Sequence, residues 1–124
     1  MFNTTIATQI YAKICFEATN SQKKIIENLS EYLSDDDFSR IFVLNGFAGT
    51  GKTTLIAAVV AALKELRIKP VLLAPTGRAA KVLARYCGEQ ALTIHKRIYR
   101  QRTNADYESK FSLDFNREQG AVFI

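Results

Sequence analysis

The chain is poor in the residues that staple proteins or bind metals, with two cysteines and one histidine in 124 residues. Cys15 and Cys87 stand far apart, with no C-x-x-C and no metal-ligand spacing, and read as reduced packing residues. His95 alone leaves a zinc site or a histidine-based triad without partners. No apolar run approaches the ~20 residues of a membrane span. Met1-Phe2-Asn3-Thr4-Thr5 lacks the basic start and apolar core of a secretory signal. These absences lead us to expect a cytoplasmic protein. Neither repeats nor low-complexity segments occur. What remains is a globular composition, 48% hydrophobic and 23% charged, in a chain long enough for one domain with a core.

The most informative stretch is Asn45-Gly46-Phe47-Ala48-Gly49-Thr50-Gly51-Lys52-Thr53-Thr54. It fits G-x-x-x-x-G-K-[ST], the Walker A phosphate loop. Backbone N–H groups must turn inward to cradle phosphate oxygens, and glycine permits the angles this needs. The following helix aims its positive N-terminal end at the same phosphates. Lys52 supplies an ammonium for the β- and γ-phosphates, and the Thr53 hydroxyl is placed to ligate Mg²⁺. Ile41-Phe42-Val43-Leu44 precedes the loop as an apolar run suited to a buried parallel strand. Leu55, Ile56, Val59, Val60, Leu63 and Leu66 follow at helical spacing.

The other elements follow from the same periodicities. Ile6, Ile10 and Ile14 predict a helix over 3–14. Asn20 or Ser21 can cap a second helix over 21–34, with Ile25, Ile26, Leu29 and Leu33 on its apolar face. Asp35-Asp36-Asp37 ends it in a surface turn. Strands are expected at 41–45 and 70–74, joined through the loop and its helix. That order implies a parallel sheet with right-handed connections. A helix over 78–87 closes at Gly88. Ala91-Leu92 is a short extended piece, and Thr93 can cap a helix over 94–101. Residues 104–106 are loop. Phe111, Leu113 and Phe115 alternate with polar residues as a half-exposed strand. Residues 121–124 form a buried one.

Charge is distributed unevenly. The chain carries +5 overall, and Arg67 to Arg102 holds nine Lys/Arg against one acid, Glu89. That segment suits a polyanion surface, and equally a solvated basic face. Within it, Pro75-Thr76-Gly77-Arg78 turns from a strand into a helix at the strand's C-terminal end, where ligands bind in open α/β sheets. Thr76 and the first helical N–H groups can hold a nucleic-acid phosphate, with Arg78, Lys81 and Arg85 on one helical side.

Four stretches together resemble the front part of a superfamily 1 DNA helicase of the RecD-like and Dda-like branch, which moves 5′ to 3′. Thr19-Asn20-Ser21-Gln22-Lys23-Lys24 resembles the Q motif, whose glutamine (here Gln22) reads the adenine edge. Residues 46–54 are similar to motif I. Ala74-Pro75-Thr76-Gly77-Arg78-Ala79-Ala80-Lys81 is similar to motif Ia, a single-strand contact, and Thr93-Ile94-His95-Lys96 resembles part of motif Ib. The resemblance spans about 16–124. It implies an α/β P-loop NTPase (RecA-like) fold, with a parallel sheet flanked by helices and incomplete at the C-terminus. A helical lead-in over 1–20 would precede a partial domain 1A over 21–124, with a short hairpin insertion near 103–118. Tyr107, Phe111 and Phe115 there would stack on a base or pack the hairpin.

The resemblance also implies ATP and Mg²⁺ as cofactors and single-stranded DNA as partner. Nucleotide contacts fall to Gln22, Gly46, Ala48, Gly49, Thr50, Gly51, Lys52, Thr53 and Thr54, with Lys52 and Thr53 catalytic and Thr53 on the metal. DNA contacts fall to Pro75, Thr76, Arg78, Lys81, Thr93 and His95. The carboxamide of Gln22 can donate to and accept from adenine at once, which would favour ATP over GTP. The Asp-Glu pair that would order Mg²⁺ and activate water occurs nowhere in the chain. Asp114 is a poor substitute, because its preceding run is short and polar. We therefore expect a piece of a helicase that binds ATP without turning it over, in DNA repair or recombination. A non-catalytic nucleotide-binding switch or loader is the alternative. A small-molecule kinase would need a lid with arginines that has no counterpart here.

Overall fold

The computed structural model describes residues 2–102, 110–116 and 118–124. The chain forms two compact units, 1–67 and 68–124.

The first unit is helical. Helices α1 (Phe2–Lys13), α2 (Asn20–Ser34) and α3 (Lys52–Glu65) follow one another, and α1 packs against both α2 and α3. Each contributes an apolar stripe. Ile6 and Ile10 come from α1, Ile26 from α2, and Leu55, Val59, Val60 and Leu63 from α3, all buried. Burying such side chains contributes about 1.5–3 kcal/mol each. Ser30 also lies in the core. Its Oγ donates to the Ile26 carbonyl one turn earlier (2.7 Å), so the hydroxyl enters without an unmet bond.

The cap of α2 differs from the expected one. Thr19, not Asn20 or Ser21, is the N-cap, and it builds a capping box with Gln22. Asp35-Asp36-Asp37 does end α2, and Arg40 pairs with the Asp35 and Asp37 carboxylates. Cys15 is exposed rather than packed, whereas Cys87 is half-buried and its thiol is pushed up by burial and by Glu89.

A larger departure is 41–45. This run pairs with no strand among the described residues. Its alternation is that of an extended chain, with Ile41 and Val43 mostly exposed (85% and 79%) and Phe42 and Leu44 half-buried. The Phe42 ring rests on Tyr32 of α2 (centroids 5.5 Å), and Tyr32 Oη donates to the Arg40 carbonyl (2.9 Å). The apolar run thus meets a helix surface, not the two strands its composition suits.

The second unit holds a small parallel sheet flanked by a helix. Strand β1 (Pro70–Ala74) lies between β2 (Ala91–Thr93) and β5 (Val122–Phe123), parallel to both. Pro70 begins β1, where a missing N–H costs no ladder bond. Leu73 donates to the Ile124 carbonyl (2.8 Å) and Ile124 to that of Val71 (2.9 Å). Helix α4 (Gly77–Cys87) crosses between β1 and β2, covers them with Ala80, and ends on left-handed Gly88 (φ 64°). Short helix α5 (Ile94–Ile98) follows β2.

The helix expected over 94–101 stops at Ile98. Tyr99 turns extended, and β3 (Tyr99–Arg102) pairs antiparallel with β4 (Lys110–Leu113). Arg-Gln-Arg has no strong preference of its own, so the cross-strand ladder decides its conformation. Of the expected insertion over 103–118, the described residues show β4 as one strand of this antiparallel pair. Residues 103–109, Tyr107 included, lie outside the described residues. Phe115 is exposed.

Two electrostatic and backbone features are testable. Glu118 accepts from Lys69 Nζ (2.7 and 2.8 Å) and Arg97 Nη2 (2.7 Å), and these bonds, Lys69 first, hold its carboxyl below 4.5. A depressed carboxylate stabilises above its unfolded pKa, and that contribution is lost as pH falls through the folded value. Thermal melts should show Glu118→Gln less stable than the parent at neutral pH, the gap closing below pH 4.5. Arg67 follows α3 with φ 59°, a left-handed angle that costs a non-glycine residue about 1–2 kcal/mol. Arg67→Gly should raise unfolding free energy by about 0.5–1 kcal/mol in urea titrations, glycine's own entropy offsetting part of the relief.

Candidate nucleotide site and candidate nucleic-acid edge

The phosphate loop and the start of α2 enclose a concave pocket of ≈ 350 Å³. Thr19, Ser21, Gln22 and Ile25 form one wall, and Leu44 to Phe47 with Thr50 to Lys52 form the other. All these residues belong to the first unit.

The loop holds its shape through its own polar groups. Lys52 Nζ donates to the carbonyls of Gly46 (2.5 Å) and Phe47 (2.6 Å) and approaches Thr50 Oγ1 (3.3 Å). Thr50 Oγ1 donates in turn to Phe47 O (2.7 Å). A methyl group at Gly46 would come within 3.2 Å of Thr50 Oγ1, a tight contact, and 3.4 Å of Lys52 Cδ, an ordinary one. Gly51 is the N-cap of α3 in a left-handed conformation (φ 83°), and no side chain caps the helix. Its first N–H groups and its dipole are left to a ligand, and an anion is the chemistry they favour. Thr53 and Thr54 lie exposed in the first turn, and Ala48 and Gly49 are exposed on the loop.

Gln22 sits where loop and helix meet. Thr19 N–H donates to Gln22 Oε1 (2.9 Å), and Gln22 N–H donates to Thr19 Oγ1 (3.2 Å). A methyl on Gly51 would stand 3.1 Å from Gln22 Nε2. The T-x-x-Q spacing that produces this box was visible in the sequence and marks Thr19 as part of the site.

In the second unit, parallel register places Ala74 opposite Thr93, so β1 and β2 end at one sheet edge. Each strand hands over to a helix through a threonine. Thr76 Oγ1 accepts from Ala79 N–H, and Thr93 Oγ1 accepts from Lys96 N–H, both at 3.2 Å. Pro75, Arg78, Lys81 and His95 are exposed around them. The His95 ring lies 5.0 Å from that of Tyr99. Residues the sequence reading had not singled out share this surface. Val82 and Tyr86 are large, exposed (48% and 59%) and on the same face of α4 as Arg78, Lys81 and Arg85. An exposure pattern, not a motif, reveals them.

A glycine-built loop that caps a helix in the first unit, and a small parallel α/β sheet in the second, are the parts of a partial P-loop nucleotide-binding fold. Comparison with known families narrows this. Residues 17–122 match the AAA domain family, and the chain belongs to it. It is also similar to the ATP-dependent RecD2 DNA helicase of Deinococcus radiodurans, 36% identical over 76 residues, covering 61% of this chain and 11% of that protein. The ATP-dependent DNA helicase dda of Enterobacteria phage T4 is 45% identical over 53 residues, 42% of this chain and 12% of that protein. The expected resemblance to RecD-like and Dda-like helicases is borne out, and the chain spans about a tenth of the length of these relatives. No solved structure matches.

The loop geometry yields a direct expectation. Gly51→Ala combines left-handed strain with the contact to Gln22, whereas Gly49 (φ 79°) has open space around it. Gly51→Ala should therefore weaken nucleotide binding more than Gly49→Ala. Both should lose about 1–2 kcal/mol of stability to strain, read from parallel titrations and melts.

Proposed function

We propose that the chain is the ATP-binding part of an ATP-dependent DNA helicase that couples hydrolysis to 5′-to-3′ translocation and unwinding, in DNA repair or recombination. The observation that carries this reading is the Lys52 ammonium, drawn into a glycine-built loop at the uncapped start of α3. Loop carbonyls hold it where phosphate oxygens would take their place. Gly46, Ala48, Gly49, Thr50 and Gly51 supply the cradle, and Thr53 and Thr54 the first helical turn. Thr53 offers its hydroxyl to Mg²⁺, which would neutralise phosphate charge there. Gln22 faces the base. A helical lead-in over 1–20 and a partial RecA-like domain 1A over 21–124 is the domain reading that accompanies this role.

The DNA half of the reading draws support from the shared edge of β1 and β2. Two threonines there keep a hydroxyl proton to donate while their oxygens cap helices. Arg78 and Lys81 add charge, Pro75 shapes the turn, and His95 offers an imidazole to the strand. The names of the two relatives, both ATP-dependent DNA helicases, point the same way.

Calorimetry should detect ATP binding to the chain, and Lys52→Ala should weaken it at least ~10-fold, the worth of a charge-assisted hydrogen bond. With no Asp-Glu pair in the sequence, steady phosphate release is not expected. Release that Lys52→Ala abolishes would contradict that expectation. Anisotropy with a labelled oligonucleotide should show salt-sensitive single-strand binding. Arg78→Glu with Lys81→Glu should weaken it and flatten the log–log salt slope by about 1.4, two phosphate contacts' worth. Tight ATP binding with indifference to DNA would instead favour a nucleotide switch or loader.

A further inference from the structure

Helix α4 carries a surface that its own packing does not explain. Ala80 is buried against the sheet, while Arg78, Lys81, Val82, Arg85 and Tyr86 stand exposed. Their i, i+3, i+4, i+7, i+8 spacing puts them on one helical face. The three cations make no ion pair among the described residues, and α4 contains no acid. Arg78 sits in the first turn, at the positive end of the helix dipole. Lys81 is spaced i, i+3 from Arg78 and i, i+4 from Arg85, where like charges destabilise a helix. The face therefore lowers helix stability by itself, and an anionic partner would offset that loss.

The face begins at the nucleic-acid edge and runs away from it. That edge lies at the start of α4, where β1 and β2 end. Leu72 pairs in parallel with Ala91, so α4 must carry the chain back to the start of β2. Tyr86 then lies about 12 Å along the axis from Arg78, at 1.5 Å per residue. Chemistry separates the two ends as well. Val82 (48% exposed) offers a phosphate or a base neither charge, nor hydrogen bond, nor ring. With Tyr86 (59% exposed) one turn on, it makes an apolar pair at i, i+4, flanked by Lys81 and Arg85. Apolar anchors between cations suit a protein segment better than a nucleic acid.

We propose that the Lys81–Tyr86 face of α4 is a docking surface for an acidic peptide, a carboxylate-rich segment of a partner protein. An aliphatic or aromatic side chain of the peptide covers Val82 and Tyr86, and its carboxylates meet Lys81 and Arg85. The Arg85 guanidinium suits a two-bond grip on one carboxylate, and the Lys81 ammonium acts as a point charge. Lys81 stands at the boundary between this surface and the nucleic-acid edge. The surface goes beyond the ATP and DNA reading and does not depend on it.

Fluorescence anisotropy of the chain with three labelled probes tests this. They are a glutamate-rich helical peptide with leucine and phenylalanine at i, i+4, a polyglutamate of equal length, and an oligothymidylate. The patterned peptide should bind at least about tenfold tighter than polyglutamate, the worth of one buried apolar anchor. Val82→Ser with Tyr86→Ser should erase that preference and change oligothymidylate affinity less than about twofold. Arg85→Glu should weaken the patterned peptide about tenfold, and a peptide with lysine in place of its facing glutamates should then prefer Arg85→Glu to the parent. This charge swap keeps the test decisive even where the serine pair fails to fold. Polyglutamate binding as well as the patterned peptide would overturn the proposal, as would a patterned peptide that does not bind or that ignores the serine pair. Oligothymidylate affinity falling as far as peptide affinity would give the face to nucleic acid instead. Self-association of the parent that Arg85→Glu abolishes would give it to the acidic turn of a second copy, and either result overturns the proposal.

Discussion

The Lys52 ammonium on the Gly46 and Phe47 carbonyls is the interaction on which the site depends. A loop of three glycines has little reason of its own to keep one shape, because glycine loses more freedom on ordering than any other residue. Here a cation draws two carbonyls inward, and Thr50 closes the ring through Phe47. The cost is a charged side chain whose bonds, among the described residues, go to neutral acceptors. Phosphate oxygens would be stronger partners for it, since hydrogen bonds between ionised groups are shorter and stronger. The loop is thus ordered without a ligand and is still better satisfied with one.

Helix α2 is the loop's other support. Its N-cap Thr19 binds Gln22, whose side chain stands beside Gly51, its middle buries Ile26 and Ser30, and its end holds Phe42 through Tyr32. One helix thereby contacts the residue before the extended run 41–45, Phe42 within it, and the far end of the loop. Packing against α1 helps set where that helix lies, so the apolar stripe of Ile6 and Ile10 bears indirectly on the candidate nucleotide pocket.

Much of this was readable in advance because it is local. The helix spacing of Ile6 and Ile10, the apolar strand 70–74, the threonine and glycine at the two ends of α4, and the phosphate loop depend on near neighbours in sequence. What escaped was set by distant ones. The pairing of Tyr99–Arg102 with Lys110–Leu113 overrode helical spacing in 94–101. The run 41–45 reads as a sheet strand, yet its contacts are with a helix. Thr19 was overlooked for a different reason. In T-x-x-Q the glutamine stands out by its resemblance to a base reader, while the threonine acts only through the reciprocal bonds between the two side chains and backbones. Ser30 and Tyr86 show the limit of hydropathy, one polar and buried, the other aromatic and exposed.

The open run Ile41–Asn45 has a colloidal consequence. An extended segment with no strand partner among the described residues and outward Ile41 and Val43 is a template on which a second chain can lay a strand. The acidic turn immediately before it then takes on a second value. Asp35, Asp36 and Asp37 crowd carboxylates at one end of the sticky segment, and such flanking charges act as gatekeepers against edge-to-edge growth.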